Sequence, residues 1–600
     1  MKIRKIAIFA TAIIVTAIHS SLYALPGQNI KNVGKNALTQ IPEETRQYFY
    51  APPKDMKWFE DAKFAVFVHW GVSCLTKVEI SWGRQAFRPG FEGGMAHPTT
   101  GTPKEVYDNL YKKFNPVNFN ADEWIKMVKD SGAKYFIFTT KHHDGFCMFD
   151  AKNTDYKITN TPFKRDICKE LADACHKYGI KLFWYYSKPD WHHPDYLTEN
   201  HDNYRKYAWD QIRQLLTDYG KVDGIWFDCL NTTWQHWNTP EMIKMIRTLQ
   251  PGILINSRWG WGMPGVKDNG DFDNPEQKLG SFKIDRPWET CITMGKGWAW
   301  YGGGELTSAS ECIRMLIQCV GAGGNIALNC GPRPDGKIDP PEIKNYLAIG
   351  KWLKENGEAI YGTKGGPYKP GLYGVSCRKK NKIYIHILAS LPEESTKIYL
   401  PELPVKIEKA YSLDLTPVPT AVKNGKISLD ISKIKRNNID NIVVLELKGS
   451  ASELKTIETN KKARKVALKD AKASSYYNSL SPDALIEEKK GKFEAGINRS
   501  KEWVAQGWKG KHQWVIIEFD KTLINGLEIA EPHGRYLTKK YLIEYEKEGK
   551  WLPLSSGEKI GQLSALIFKP VETSKLRLTF IDIAKGDPGL RMFKVYKKEQ

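Results

Sequence analysis

The chain has 600 residues, enough for about three domains at ~100–200 residues each. Apolar residues make up 41% and charged residues 26%, which excludes disordered, collagen-like and small disulfide-dense proteins. The formal charge of +21 suggests a nucleic-acid partner at first sight, but the excess is spread along the chain and no basic stripe interleaved with aromatics marks a groove; its densest cluster is Lys461-Lys462-Ala463-Arg464-Lys465.

At the N-terminus, Lys2, Arg4 and Lys5 precede an apolar run over 6–18, and Ser20, Ser21 and Ala24 are small residues around a cleavage point. The pattern predicts a secretory signal peptide over 1–24, too short to span a bilayer. It implies an exported protein of bacterial type, periplasmic or extracellular, with no stable membrane insertion. Nine of the ten cysteines lie from Cys74 to Cys330 and the tenth is Cys377. None forms a CxxC pair or a zinc spacing, so no metal is expected at them. Cys168 and Cys175, and Cys312 and Cys319, are two helical turns apart, which predicts free, buried thiols.

From about 60 to 355, seven nearly continuous apolar runs alternate with helical patterns: 64–71, 135–143, 181–187, 224–230, 253–258, 287–293 and 324–332. Such runs suit strands buried on both faces. Helices are expected over 121–132, with Asn120 as N-cap and Gly132 as stop, over 165–179 and over 201–219. This alternation predicts a parallel α/β fold, and the lack of a GxGxxG or P-loop favours a (β/α)8-like TIM barrel over a dinucleotide fold. A Gly- and Pro-rich insert over 75–115 is expected to cross the barrel mouth. The period changes to two from 358 to 450, predicting a β-sandwich with a hairpin at Asn424-Gly425. A Lys-rich linker follows over 451–465, then a third, all-β domain over 466–600. The first domain would thus run over 25–357.

Barrel enzymes carry their chemistry at the C-terminal ends of the strands. Polar residues there are His69, His142, His143, Tyr185, Tyr186, Asp228, Arg258 and Glu289, with Glu276 in the loop after the fifth strand. Adjacent His142 and His143 should point to opposite faces while the strand continues, which argues against a shared metal. Sixteen of the 20 tryptophans precede position 353, as expected of aromatic walls around a sugar. Asp228 ends an apolar run, where it is desolvated unless paired; Arg258 on the next strand is a partner that keeps it ionised. An ionised carboxylate with a second, protonated carboxyl is the equipment of a retaining glycosidase. Glu276 and Glu289 both qualify as the second group.

These segments resemble the α-L-fucosidases of glycoside hydrolase family 29. The matches are WFEDAKFAVFVHWG (58–71), FNPVNFNADEW (114–124), AKYFIFTTKHHDGF (133–146), DGIWFD (223–228), INSRWG (255–260), GDFDNPEQ (270–277), GGNIALNCGPRPDGKI (323–338) and IGKWLKENGEAIYGT (349–363). The resemblance implies an exo-acting enzyme that removes terminal α-L-fucose from fucosylated glycans without a cofactor. It implies Asp228 as nucleophile, His69, His142 and His143 as ligands of fucose hydroxyls, Trp226 and Arg258 as pocket lining, and Tyr186 close by. For the acid/base, it points to Glu276 by one group of relatives and to Glu289 by another, with Glu276 the first choice. Many members carry Glu-Trp in the loop after strand one; here Trp82 is kept and Ser81 replaces the glutamate. Residues 466–600 are similar to coagulation factor 5/8 type C (discoidin) modules, which implies carbohydrate binding, although Glu487-Glu488-Lys489-Lys490 replaces the usual Asp-Gly. Two other readings remain at this level: an α-L-glycosidase for a sugar such as α-L-galactose, and a non-catalytic glycan-binding protein. The sequence defines no oligomeric state.

Overall fold

The computed structural model describes residues 33–598 apart from 92–100, 229–231, 393–394, 460–463, 478–479, 487–492, 495–496, 499–501, 508–511, 533–536 and 585. The signal peptide, Cys229 and the 487–490 cluster lie outside the described residues. Among the described residues no helix is long and apolar enough to cross a membrane.

The seven expected strands all form: β1 (Phe64–Val68), β2 (Tyr135–Lys141), β3 (Lys181–Ser187), β4 (Gly224–Asp228), β5 (Leu254–Ile255), β6 (Glu289–Thr293) and β7 (Asn325–Cys330). They make one curled parallel sheet in the order β5-β4-β3-β2-β1-β7-β6. Side chains alternate across it. Ala65, Phe67, Tyr135, Ile137, Phe183, Tyr185 and Trp226 pack inside the curl. Val66, Val68, Phe136, Phe138, Trp184 and Phe227 pack outward against the helices.

Those helices start and stop where their sequence signals lie. Helix α1 (Pro53–Ala62) leads into β1. The Asn120 side chain accepts the Glu123 N–H at the start of α2 (Ala121–Asp130). Asp166 does the same for α3 (Ile167–Tyr178), which Gly179 ends in the left-handed conformation. Helices α4 (His201–Thr217), α5 (Thr239–Leu249), α6 (Ala309–Ala322) and α7 (Pro340–Asn356) complete the outer layer. The nine described cysteines are free and buried.

Between β5 and β6 no regular strand closes the sheet. The gap is spanned by the irregular segment 271–276, through single parallel bridges Asn256–Phe272, Asp273–Trp288 and Glu276–Cys291. Side chains hold this segment where a ladder does not. The buried Asp271 carboxylate accepts both hydrogen bonds of the Arg247 Nη2 (2.8 and 3.0 Å) and the N–H groups of Ala51 and Ile255. Asp273 takes Arg286 and Lys283, each at 2.8 Å.

Beyond the barrel, the sheets of the described residues are all antiparallel. One has five strands and includes Gly374–Lys379, Lys382–Ile387 and Asn441–Leu447; a three-stranded sheet of Lys397–Pro401, Lys426–Asp430 and Thr420–Lys423 packs with it around one core. The last sheet has six strands. There the sequence suggests four separate strands where the structure has two long ones, Gln513–Ala530 and Ser564–Ile583. Bulges between Glu518 and Thr522 and between Ile524 and Gly526 absorb the polar interruption. This sheet rests on the barrel through the Gln562 N–H, donated to Glu311 of α6 at 3.0 Å.

Replacing Asp271 with Ala leaves the Arg247 guanidinium buried without its counter-ion. The expected cost is about 3–5 kcal/mol. It should appear as an earlier unfolding transition in tryptophan fluorescence, which reports mainly on the barrel.

Candidate active site

The C-terminal ends of the strands bring their polar side chains together at one mouth. Asp228 is the last residue of β4 and its side chain is 13% exposed. Its Oδ1 accepts a hydrogen bond from Arg258 Nη1 at 3.0 Å, its Oδ2 one from the Tyr185 hydroxyl at 2.9 Å, and His143 Nε2 lies 3.6 Å away. Burial alone pushes its pKa up. The Arg258 charge, His143 and the Tyr185 hydroxyl outweigh that and bring it below the ordinary carboxylate value. Asp228 is therefore an anion at neutral pH.

Arg258 also donates from Nη2 to Glu276 Oε2 at 2.7 Å, so one guanidinium holds both carboxylates. It lies 4.8 Å from the ring of Trp226, which forms the floor and stacks on Tyr185. Glu276 reaches the mouth because its segment takes the vacant strand position, level with Cys291 in the middle of β6.

Glu289 does not join this group. It is the first residue of β6, at the opposite end of the strands, and is completely buried. Its carboxyl accepts hydrogen bonds from the Tyr135 hydroxyl and from Trp226 Nε1. Burial pushes its pKa up to about 7, while those two donors oppose the shift. A raised carboxyl pKa suits a general acid, but here it belongs to a group sealed beneath the floor. The sequence reading puts Glu289 with the residues at the C-terminal strand ends; the structure corrects this, because the strand begins at Glu289 and does not end near it.

Tyr186 is a second correction. Its hydroxyl donates outward to Gln211 of α4 at 2.9 Å, and it packs among the helices. Tyr185, one residue earlier, faces the pocket. A shift of one residue along a strand exchanges the faces.

The three histidines converge as expected. His69 follows β1 and packs 4.7 Å from the Trp298 ring. His142 and His143 follow Lys141, where β2 ends, so strand alternation no longer separates them; their ring centroids are 4.1 Å apart. Donor atoms of His142, His143 and Asp228 lie within 4.8 Å of one another, contrary to the opposite-faces expectation. The carboxylate of that set is already paired with the Arg258 cation. Burial lowers the His69 pKa to about 4 and that of His142 well below its ordinary value. Both are neutral imidazoles near pH 7.

Each ring is backed by a neutral partner at Nδ1: Asn329 Oδ1 for His69, Ser81 Oγ for His142 and Ser187 Oγ for His143, each at 2.6 Å. Trp82, in the insert that reaches the mouth, meets His143 edge-on at 5.5 Å and Trp191 at 5.0 Å. Sequence reasoning gave no role to Ser187, Asn329, Trp191 or Trp298. Ser187 and Asn329 carry the same signal as Asp228, a polar residue ending an apolar strand. Glu79, two residues before Ser81, turns away from the histidines; its carboxylate accepts the N–H groups of Trp298 and Ala299, both at 2.9 Å, and fixes the Trp298 loop.

An anion and a second carboxyl among neutral imidazoles and indoles are the means to bind a sugar and break its glycosidic bond. The comparisons agree. A profile of the alpha-L-fucosidase family matches residues 39–358. The tissue alpha-L-fucosidases of Macaca fascicularis and Homo sapiens are each 31% identical over 331 residues, 51% of this chain and 69% of theirs. Alpha-L-fucosidase isoenzyme 1 from Paenibacillus thiaminolyticus superposes with a TM-score of 0.59 at 32% identity, over 66% of this chain and 99% of its own. A Bacteroides thetaiotaomicron alpha-L-fucosidase of family GH29, trapped as a covalent intermediate, gives 0.59 at 27% identity, over 67% and 97%. The chain is thus a glycoside hydrolase. It belongs to the alpha-L-fucosidase family, glycoside hydrolase family 29.

The Glu289 carboxyl yields a pH signature. Its folded pKa of about 7 lies above the reference 4.5, so the stability it contributes is full below pH 4.5 and is lost as pH rises toward 7. Relative to wild type, Glu289→Gln should gain up to ~1.4 kcal/mol per pH unit over that window and nothing above it. Urea unfolding at several pH values measures this, and activity should change only slightly.

Proposed function

We propose that the pocket hydrolyses terminal α-L-fucosyl bonds of glycans by double displacement, with retention at the anomeric carbon. The observation that carries this is Asp228, held as an anion by Arg258 and the Tyr185 hydroxyl, with Glu276 across the same guanidinium. Retaining hydrolysis uses carboxyl groups ~5–5.5 Å apart, and two groups on one guanidinium are close neighbours. The covalent intermediate named for the Bacteroides thetaiotaomicron relative supports the same chemistry. Asp228 attacks the anomeric carbon while Glu276 gives its proton to the glycosidic oxygen. Glu276 then takes a proton from water, which releases the sugar from Asp228. His69, His142 and His143 hold the hydroxyls, the first two as neutral imidazoles, and Trp82 walls the pocket.

Organisation completes the reading: a signal peptide over 1–24 exports the enzyme, the catalytic barrel spans 25–357, a sandwich spans 358–450, and the domain over 466–600 is a discoidin-like glycan-binding module. A protein ending at 465 should keep its turnover of a small fucoside and lose retention on fucosylated or galactose-bearing glycan columns; equal retention would assign that domain a structural role.

Release of 4-nitrophenol from its α-L-fucoside tests the chemistry. Asp228→Ala should lose at least ~10³-fold, as other enzymes do without their nucleophile. Azide should then restore turnover and give the β-fucosyl azide. Glu276→Ala should lose much of its rate, while Glu289→Ala remains active wherever it folds. Unchanged turnover in Asp228→Ala would refute the assignment.

A further inference from the structure

All three pocket histidines spend Nδ1 on a protein partner; His143 turns its Nε2 to Asp228, 3.6 Å away, and for His69 and His142 the Nε2 is the nitrogen that faces a substrate. Which of these Nε2 atoms carries a proton follows from the partners. Ser187 Oγ donates to the Pro189 carbonyl at 2.6 Å, so toward His143 it has only a lone pair and receives the Nδ1–H. Asn329 donates its Nδ2 to the Trp298 carbonyl at 2.8 Å, which turns Oδ1 toward His69 and again requires an Nδ1–H. Ser81 is opposite in sense. Its Oγ already accepts the Asp144 N–H at 2.8 Å, and its one proton has His142 Nδ1 as acceptor at 2.6 Å.

We propose that Ser81 is a specificity-determining residue: its hydroxyl fixes His142 as the Nε2–H tautomer, so that His142 is the donor to the sugar while His69 is an acceptor. The pocket then offers a fixed pattern of one donor and one acceptor, built from two residues of one type. A substrate hydroxyl accepts at His142, and another donates at His69. The pattern rests on the reading of this pocket as a fucose site.

The surroundings hold Ser81 to this task. It is fully buried and adopts φ 59°, a left-handed conformation that a residue with a side chain occupies at a cost. Its N–H donates to the Tyr107 hydroxyl at 2.9 Å, and Tyr107 donates to Asp144 Oδ2 at 2.6 Å. Asp144 returns its own N–H to Ser81 Oγ, which closes the ring of bonds. Burial and the neighbouring His143, His69 and Lys141 keep His142 from taking a second proton. The polarity is therefore set by the tautomer.

Neutron diffraction from deuterium-exchanged crystals of the substrate-free wild type reads the assignment directly. Deuterium is expected on Nε2 of His142 and on Nδ1 of His69 and His143; deuterium on Nδ1 of His142, alone or with Nε2, overturns it. If the deuterium falls as expected but no fucose is released from the 4-nitrophenyl fucoside, the fucose reading fails and the tautomer assignment stands. In kinetics, Ser81→Ala should lower kcat/KM about tenfold, mainly through KM, as expected for one misdirected hydrogen bond. Ser81→Gly removes the same hydroxyl but relieves the backbone, so it should lose as much activity while melting higher. A glycine variant with wild-type kcat/KM would show that the hydroxyl is not what matters.

Discussion

Arg258 lies over the Trp226 ring and gives one nitrogen to Asp228 and the other to Glu276. The pocket around it is built of indole, phenol and neutral imidazole. Burying two carboxylates in such a setting is costly without a cation. With the guanidinium between them they stand side by side, ready for different roles. The neighbouring rings follow from the same constraint: with Asp228 satisfied by arginine, His69 and His142 need carry no charge, and burial keeps them neutral.

The histidines show how support behind a residue decides what it offers in front. Ser81, Ser187 and Asn329 are uncharged, and none draws an imidazole toward imidazolium as a carboxylate would. On the proposed reading, a sugar, which has no charge of its own, would meet hydrogen-bonding groups in place of charges. The carboxylate of Glu79, close in sequence to Ser81, fixes the loop that brings Trp298 over His69.

Much of this was readable from the chain alone. The seven β-runs, the cap Asn120, Asp228 beside Arg258 and the clustering of His69, His142 and His143 follow from hydrophobic runs broken by polar residues at their ends. What the sequence could not supply was direction. Tyr185 and Tyr186 are equivalent as text, and only the register of β3 sends one into the pocket and the other toward Gln211. Glu289 stands at a strand end, but at the first residue of β6 and not the last. Similarly, alternation was assumed to separate His142 from His143, because where β2 stops depends on its neighbours. In the last domain the polar breaks that divide the apolar runs in the sequence are bulges within long strands.

The position of an eighth strand is taken by 271–276, tied by single bridges and by the carboxylates of Asp271 and Asp273. Asp228 belongs to a continuous ladder, and a residue inserted there would shift a whole strand. Glu276 belongs to a segment pinned at a few points, where added or lost residues bulge into solvent and leave the sheet intact. The two carboxylates therefore have unequal freedom to change: Asp228 is tied to the barrel, while Glu276 stands on a segment that can be re-sited without disturbing the sheet.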